Sequence, residues 1–138
     1  MDWTLARIVR TQAQRRCDRP MITFGERTVT YAAMGAASSR VAQALAAHGV
    51  APHDRIAFLD RNGVEYFEVL FGGGKLNAVD VAVNWRLAPA EMEYTINDAL
   101  AKILFVGPEF FPHLAEIESK LDTVETIVAL GAHPRHED

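Results

Sequence analysis

The chain has 138 residues, 49% hydrophobic, 23% charged and 9% aromatic, an ordinary globular composition that can bury one core and is too short for two domains. Its net charge is −4; its single cysteine, Cys17, excludes an internal disulfide and a cysteine-rich metal site, and the missing interleaving of aromatic and basic residues excludes a nucleic-acid partner. No apolar run reaches membrane-spanning length, and Met1-Asp2-Trp3 does not open a secretory signal, so the expected compartment is the cytoplasm.

Trp3, Leu5, Ile8, Val9 and Ala13 recur at helical spacing, which predicts an amphipathic helix over residues 3–16 with this stripe in the core. Arg7, Arg10, Arg15, Arg16 and Arg19 against Asp2 and Asp18 give the first 20 residues a net +3. We read that charge as a solvated face, able at most to touch an anionic membrane peripherally through Arg7, Arg10, Arg15 and Arg16. Pro20 ends the helix. Residues 21–24 and 27–30 are β-prone and flank Gly25-Glu26, a hairpin pattern.

Thr30 is placed to cap an alanine-rich helix over residues 31–48, with Met34, Ala37, Ser38, Val41, Leu45 and Ala46 buried and Gly49 as its left-handed end. Strands are then expected over residues 55–59, 78–83, 102–106 and 126–130. Between them lie three helices, which begin at a cap on Asn62, at Pro89 and at Pro108. Four apolar strands alternating with helices predict an α/β fold: a mostly parallel sheet flanked by helices, centred on Phe58, Val81, Leu104 and Val128.

Several chemical motifs fail on spacing. Gly72-Gly73-Gly74-Lys75 is no Walker loop, because Val69 stands where the first glycine belongs and Leu76 follows the lysine. The triplet falls late in a helical pattern and suggests tight packing of that helix on the sheet. No dinucleotide fingerprint follows a strand. His48, His53, His113, His133 and His136 show no zinc spacing, and Ser38, Ser39 and Ser119 lie within helices, away from any nucleophile elbow. Asp60 and Asp80 sit at or in strands, where capping or surface roles are expected. Cys17 is read as a spectator.

Five segments together resemble the N-terminal subdomain of the adenylate-forming, AMP-binding acyl/aryl-CoA ligases. They are Val29-Thr30-Tyr31-Ala32-Ala33-Met34; Leu45, Gly49-Val50 and Asp54-Arg55-Ile56-Ala57; Asn62, Glu65 and Tyr66; the run from Lys75 to Asn84 with Arg86-Leu87; and Glu91. His53, Asn77 and Ala82 replace the family's usual glycine, glycine and proline, and asparagine is the best substitute where positive φ is needed.

The resemblance implies a partial, incomplete N-terminal ligase subdomain over residues 1–130 followed by a polar tail at 131–138. It also implies an acid–CoA ligase of the fatty-acid type, using ATP, magnesium and CoA in the complete enzyme. The family's phosphate loop, metal-holding acids and mobile-domain lysine have no counterpart here. No catalytic, cofactor-binding or metal-binding residue is therefore assigned, and the chain alone is expected to be an inactive fragment. Its partner is then the remainder of the ligase, with self-association through an open strand edge as a further expectation. The alternatives are a non-catalytic interaction domain and a segment of another adenylation enzyme.

Overall fold

The computed structural model describes residues 3–131; apart from Gly131, the expected polar tail with His133 and His136 lies outside the described residues. The chain divides into two compact units. One runs through Pro52 and resumes over Asn62–Ala78; the other takes His53–Arg61 and the chain from Val79 on. Each buries its own apolar cluster, so the single core expected from length is divided.

In the first unit, α1 (Leu5–Arg15) starts where Thr4 accepts a hydrogen bond from the Arg7 amide at 3.2 Å, a side-chain N-cap. Its apolar stripe is a correction to the sequence reading. Val9 is buried, but Trp3, Leu5 and Ile8 are 74%, 45% and 39% exposed. Trp3 precedes the first turn, and Ile8 lies about 100° around the helix from Val9. The Val9–Ala13 line faces α2, where a Cβ on Gly35 would sit 2.8 Å from that of Ala13.

β1 (Pro20–Phe24) and β2 (Arg27–Thr30) pair antiparallel, with Thr23 opposite Thr28 and Phe24 opposite Arg27. Gly25 turns the hairpin at φ +58, a region that glycine enters without a Cβ penalty. α2 (Tyr31–Ala47) is capped by Thr30, whose hydroxyl accepts from the Ala33 amide at 3.2 Å, and ends at Gly49 with φ +76. Its buried line is Met34, Ala37, Ser38, Ala42 and Leu45; Val41 is only half-buried and Ala46 is exposed.

α3 (Val64–Lys75) is capped by extended Gly63, not by Asn62. A negative first-turn residue, Glu65, favours the positive helix end and makes a side-chain cap less necessary. Two glycines of the triplet face helices of the same unit. A Cβ on Gly72 would lie 2.6 Å from Val41 Cγ1, and one on Gly74 would lie 3.3 Å from Leu5 Cβ, so these glycines let α3 approach α2 and α1. Asn77 follows at φ +58. The Asn77 and Ala78 amides donate to the Gly74 and Gly73 carbonyls at 3.3 and 3.0 Å, a Schellman end in which asparagine takes the left-handed place, as the sequence suggested.

In the second unit, β3 (Arg55–Leu59), β4 (Val79–Ala82), β5 (Ala101–Val106) and β6 (Thr126–Ala129) form a parallel sheet in the order β4-β3-β5-β6. All four expected centres lie in it. Ile56–Leu59 and Ile103–Val106 are buried, the continuous apolar runs of inner parallel strands. α4 (Pro89–Asp98) and α5 (Phe111–Ile117) pack on each other and cluster Met92, Ile96, Leu114 and Ile117 with Leu59, Leu104 and Val106. The single helix expected from Pro108 is instead a 3-10 turn (Pro108–Phe110), then α5, then a second 3-10 turn (Glu118–Lys120). Pro112, near the start of α5, has no N–H and its ring crowds the carbonyl four residues back, which separates the first turn.

Candidate functional site

In open parallel sheets, ligands settle beyond the carboxyl ends of the strands, where outgoing connections diverge. Here β3 leads to β4 on one side, while β5 and β6 lie on the other, so the switch falls between β3 and β5. Asp60 follows β3 and Gly107 follows β5. The Gly107 amide donates to the Leu59 carbonyl at 3.0 Å, and a Cβ on Gly107 would fall on the Asp60 carboxyl group. Gly107 has an ordinary φ of −76, so the position requires glycine for space and not for conformation.

The Asp60 carboxylate also accepts from the Arg61 amide at 2.7 Å. The Arg61 guanidinium pairs with Glu109 at 2.6 Å and lies 4.6 Å from the Trp85 ring centre; Arg86 lies 4.0 Å from the same ring. A turn sets Arg86 there: its amide donates to Asn84 Oδ1 at 3.1 Å, and the Leu87 amide donates to the Asn84 carbonyl at 3.1 Å. Asparagine side chains favour such turns by bonding the backbone two residues on. Both partners of the Arg61–Glu109 pair are more than half exposed, so the pair contributes about 1 kcal/mol or less. This rim can orient and neutralise negative charge.

The residues that carry the family resemblance have structural tasks. Asp54 pairs with Lys102 at 3.4 Å, and its carbonyl accepts from Val79 at 2.8 Å. Arg55 Nε donates to the Ala99 carbonyl at 2.8 Å. Glu91 accepts from the Ala88 amide at 2.9 Å, half of a capping box at the start of α4. Glu65 binds Arg27 at 2.5 Å. Lys75 donates to the Gly35 carbonyl at 2.9 Å and to Ser38 and Ser39 Oγ at 2.8 Å each.

Of the two acids weighed from sequence, Asp60 stands at the sheet's carboxyl end, while Asp80 lies within β4 opposite Ile56. Cys17 is exposed, with its thiol donating to Asp18 at 3.4 Å. Arg7, Arg10, Arg15 and Arg16 are exposed on or beside α1. Sequence reasoning missed Gly107, Trp85 and Arg61, and met Arg86 only as part of the family resemblance. Their signal is the carboxyl-end rule, which needs the strand order first. Among the described residues no three His, Cys, Asp or Glu side chains group to hold a metal ion, and the glycine triplet lies inside α3. The described residues do not fit magnesium–ATP.

Residues 9–138 match the family described as AMP-binding enzyme. Over 93% of its length the chain is 38% identical to the fatty acid–acyl-carrier-protein ligase ScoC of Streptomyces coeruleorubidus, of which it covers 24%. Over 89% it is 37% identical to a 3-hydroxybenzoate–CoA ligase of an Aromatoleum species, again covering 24%. Among solved structures it resembles a Mycobacterium tuberculosis fatty acyl CoA synthetase with a TM-score of 0.85 and 30% identity, over 91% of this chain and 26% of that one. The chain thus spans about a quarter of the length of the curated relatives it matches, in their N-terminal part. With a family match across all but its first eight residues, the chain belongs to the AMP-binding enzymes.

Proposed function

We propose that the chain is the opening segment of an ATP-dependent, AMP-forming acid–CoA ligase of the fatty-acid type, acting in the cytoplasm, with the rest of the ligase as its partner. The observation that carries this reading is the family match over residues 9–138. A relative named for fatty acids and another named for an aromatic acid are almost equally similar, so the fatty-acid assignment leans on the Asn84-x-Arg86-Leu87 segment. The segment supplies scaffold and a charged rim; nucleotide and metal are held by later parts. Nucleotidyl transfer depends on positioning and charge neutralisation, and without those groups there is no turnover.

The isolated chain is expected to show no ATP–pyrophosphate exchange above a buffer control with any carboxylic acid. The same chain continued by the remaining three quarters of the fatty-acid relative is expected to exchange with fatty acids. Exchange by the chain alone, or a folded chimera silent with every acid, defeats the reading. A chimera that prefers benzoates overturns only the fatty-acid part.

No helix among the described residues is long and apolar enough to cross a membrane. We propose that α1 makes at most a peripheral contact with anionic lipid, worth about 1 kcal/mol per basic residue near the surface. Binding to vesicles rich in anionic lipid should disappear at high ionic strength. Binding that survives would mean that exposed Trp3, Leu5 and Ile8 insert, and the charge-only account would be wrong.

A further inference from the structure

α1, α2 and the end of α3 border an open cleft of about 380 Å³, lined by Arg10, Gln14, Ser39 and Lys75 with Ala13 and Gly35 among its small walls. That volume falls within the range of small-molecule sites. Small side chains create it, since Ala13 meets Gly35 with no room for another carbon. Arg10 and Gln14 stand one turn apart, so α1 presents both on one face.

The charge in this cleft is one-sided. Lys75 gives its three donors to neutral oxygens of Gly35, Ser38 and Ser39, which fixes the ammonium in place without neutralising it. Burial, and then the Arg10 guanidinium, pushes Lys75 below the usual lysine range. Among the described residues no Asp or Glu lines the cleft, and Arg10 has no ion pair. The Ser39 hydroxyl already donates to the Gly35 carbonyl at 3.0 Å. Donors for an incoming group are therefore the Arg10 guanidinium and the Gln14 amide. Two cations in one partly dry space repel, and a bound anion relieves that repulsion.

We propose that this cleft binds a phosphate group, with Arg10 as its charged donor, Gln14 as its neutral donor and Lys75 as a fixed positive field behind them. The proposal concerns the first unit alone and stands apart from the ligase reading.

The test titrates inorganic phosphate into the 138-residue chain at constant ionic strength, balanced with chloride. Side-chain NMR of Lys75 and thermal unfolding are the readouts. A saturable shift is expected, with Lys75 moving up toward the ordinary lysine range and the melting temperature rising. Arg10→Gln should weaken phosphate binding about tenfold, the loss of one charge-assisted contact. Arg10 is exposed and its removal only relieves repulsion of Lys75, so the phosphate-free melt of this variant should be no lower than the parent's.

Glycerol phosphate and anionic vesicles are then compared as competitors. Displacement by the first alone identifies a free phosphate ester, and displacement by vesicles alone identifies a lipid headgroup. A linear response that chloride reproduces, or an unchanged response in Arg10→Gln, overturns the site.

Discussion

Exchanging Gly72 for leucine is expected to destabilise the first unit by about 3 kcal/mol, the upper end of what overpacking costs. Even a bare Cβ there would lie 2.6 Å from Val41 Cγ1, 2.8 Å from Val41 Cβ and 3.1 Å from the Ser38 carbonyl oxygen. A rotamer change can move Cγ1, but Cβ and the carbonyl are fixed to α2, so the two helices must separate. Helix propensity works the other way, since leucine gains up to about 1 kcal/mol over glycine in a helix interior. Denaturant unfolding measures the balance. Gly72→Ala should cost less, and joining it to Val41→Ala should recover part of the loss because Cγ1, the nearest facing atom, is gone. A leucine variant as stable as the parent would show that α2 and α3 do not approach this closely.

That glycine shows where sequence reading stops. The failed Walker spacing removed a phosphate loop, and three glycines late in a helical pattern implied a close neighbour. Nothing in the pattern said which neighbour. Gly72 and Gly74 meet α2 and α1, because a helical period reports that a face is covered and never by what. The same limit explains α1. Trp3, Leu5 and Ile8 satisfy an apolar period, yet only the Val9–Ala13 line meets Gly35 on α2.

Local chemistry was more legible. Thr30 caps α2, Gly25 turns the hairpin and Gly49 ends a helix left-handed, each through a bond or angle within a few residues. Asn77 stands at φ +58 where relatives of this type were expected to carry glycine, and His53, the other replacement of a glycine, stands at φ +71. A non-glycine residue there costs about 1 kcal/mol, so the fold keeps these backbone positions while the residue varies. Misjudged ends have local causes too. Asn62 offered a better capping side chain than Gly63 but lies one residue early, and Pro112 split a helix that its apolar spacing made continuous.

The carboxyl end of the sheet was not legible, because it is assembled from three loops whose proximity depends on strand order. Asp60, Trp85 and Gly107 are far apart in sequence and unremarkable singly. Only the order β4-β3-β5-β6 puts the ends of β3 and β5 side by side at the switch point.

Gly107→Ala tests that arrangement and is expected to cost about 2 kcal/mol, from crowding together with a weakened hydrogen bond to a charged acceptor. The backbone at φ −76 accepts alanine, so the whole cost is steric. The new methyl displaces the Asp60 carboxylate from the Arg61 amide that it holds at 2.7 Å. Arg61 lies over Trp85, so the tryptophan's fluorescence should change with the displacement. Asp60→Ala alone loses the hydrogen bond and keeps the space. The double variant should then be no less stable than Asp60→Ala, a coupling of more than 1 kcal/mol between neighbours. Denaturant unfolding of the four proteins completes the cycle. If the two costs simply add, the carboxylate does not occupy the space beside Gly107, and the crevice between β3 and β5 is open instead of filled by Asp60.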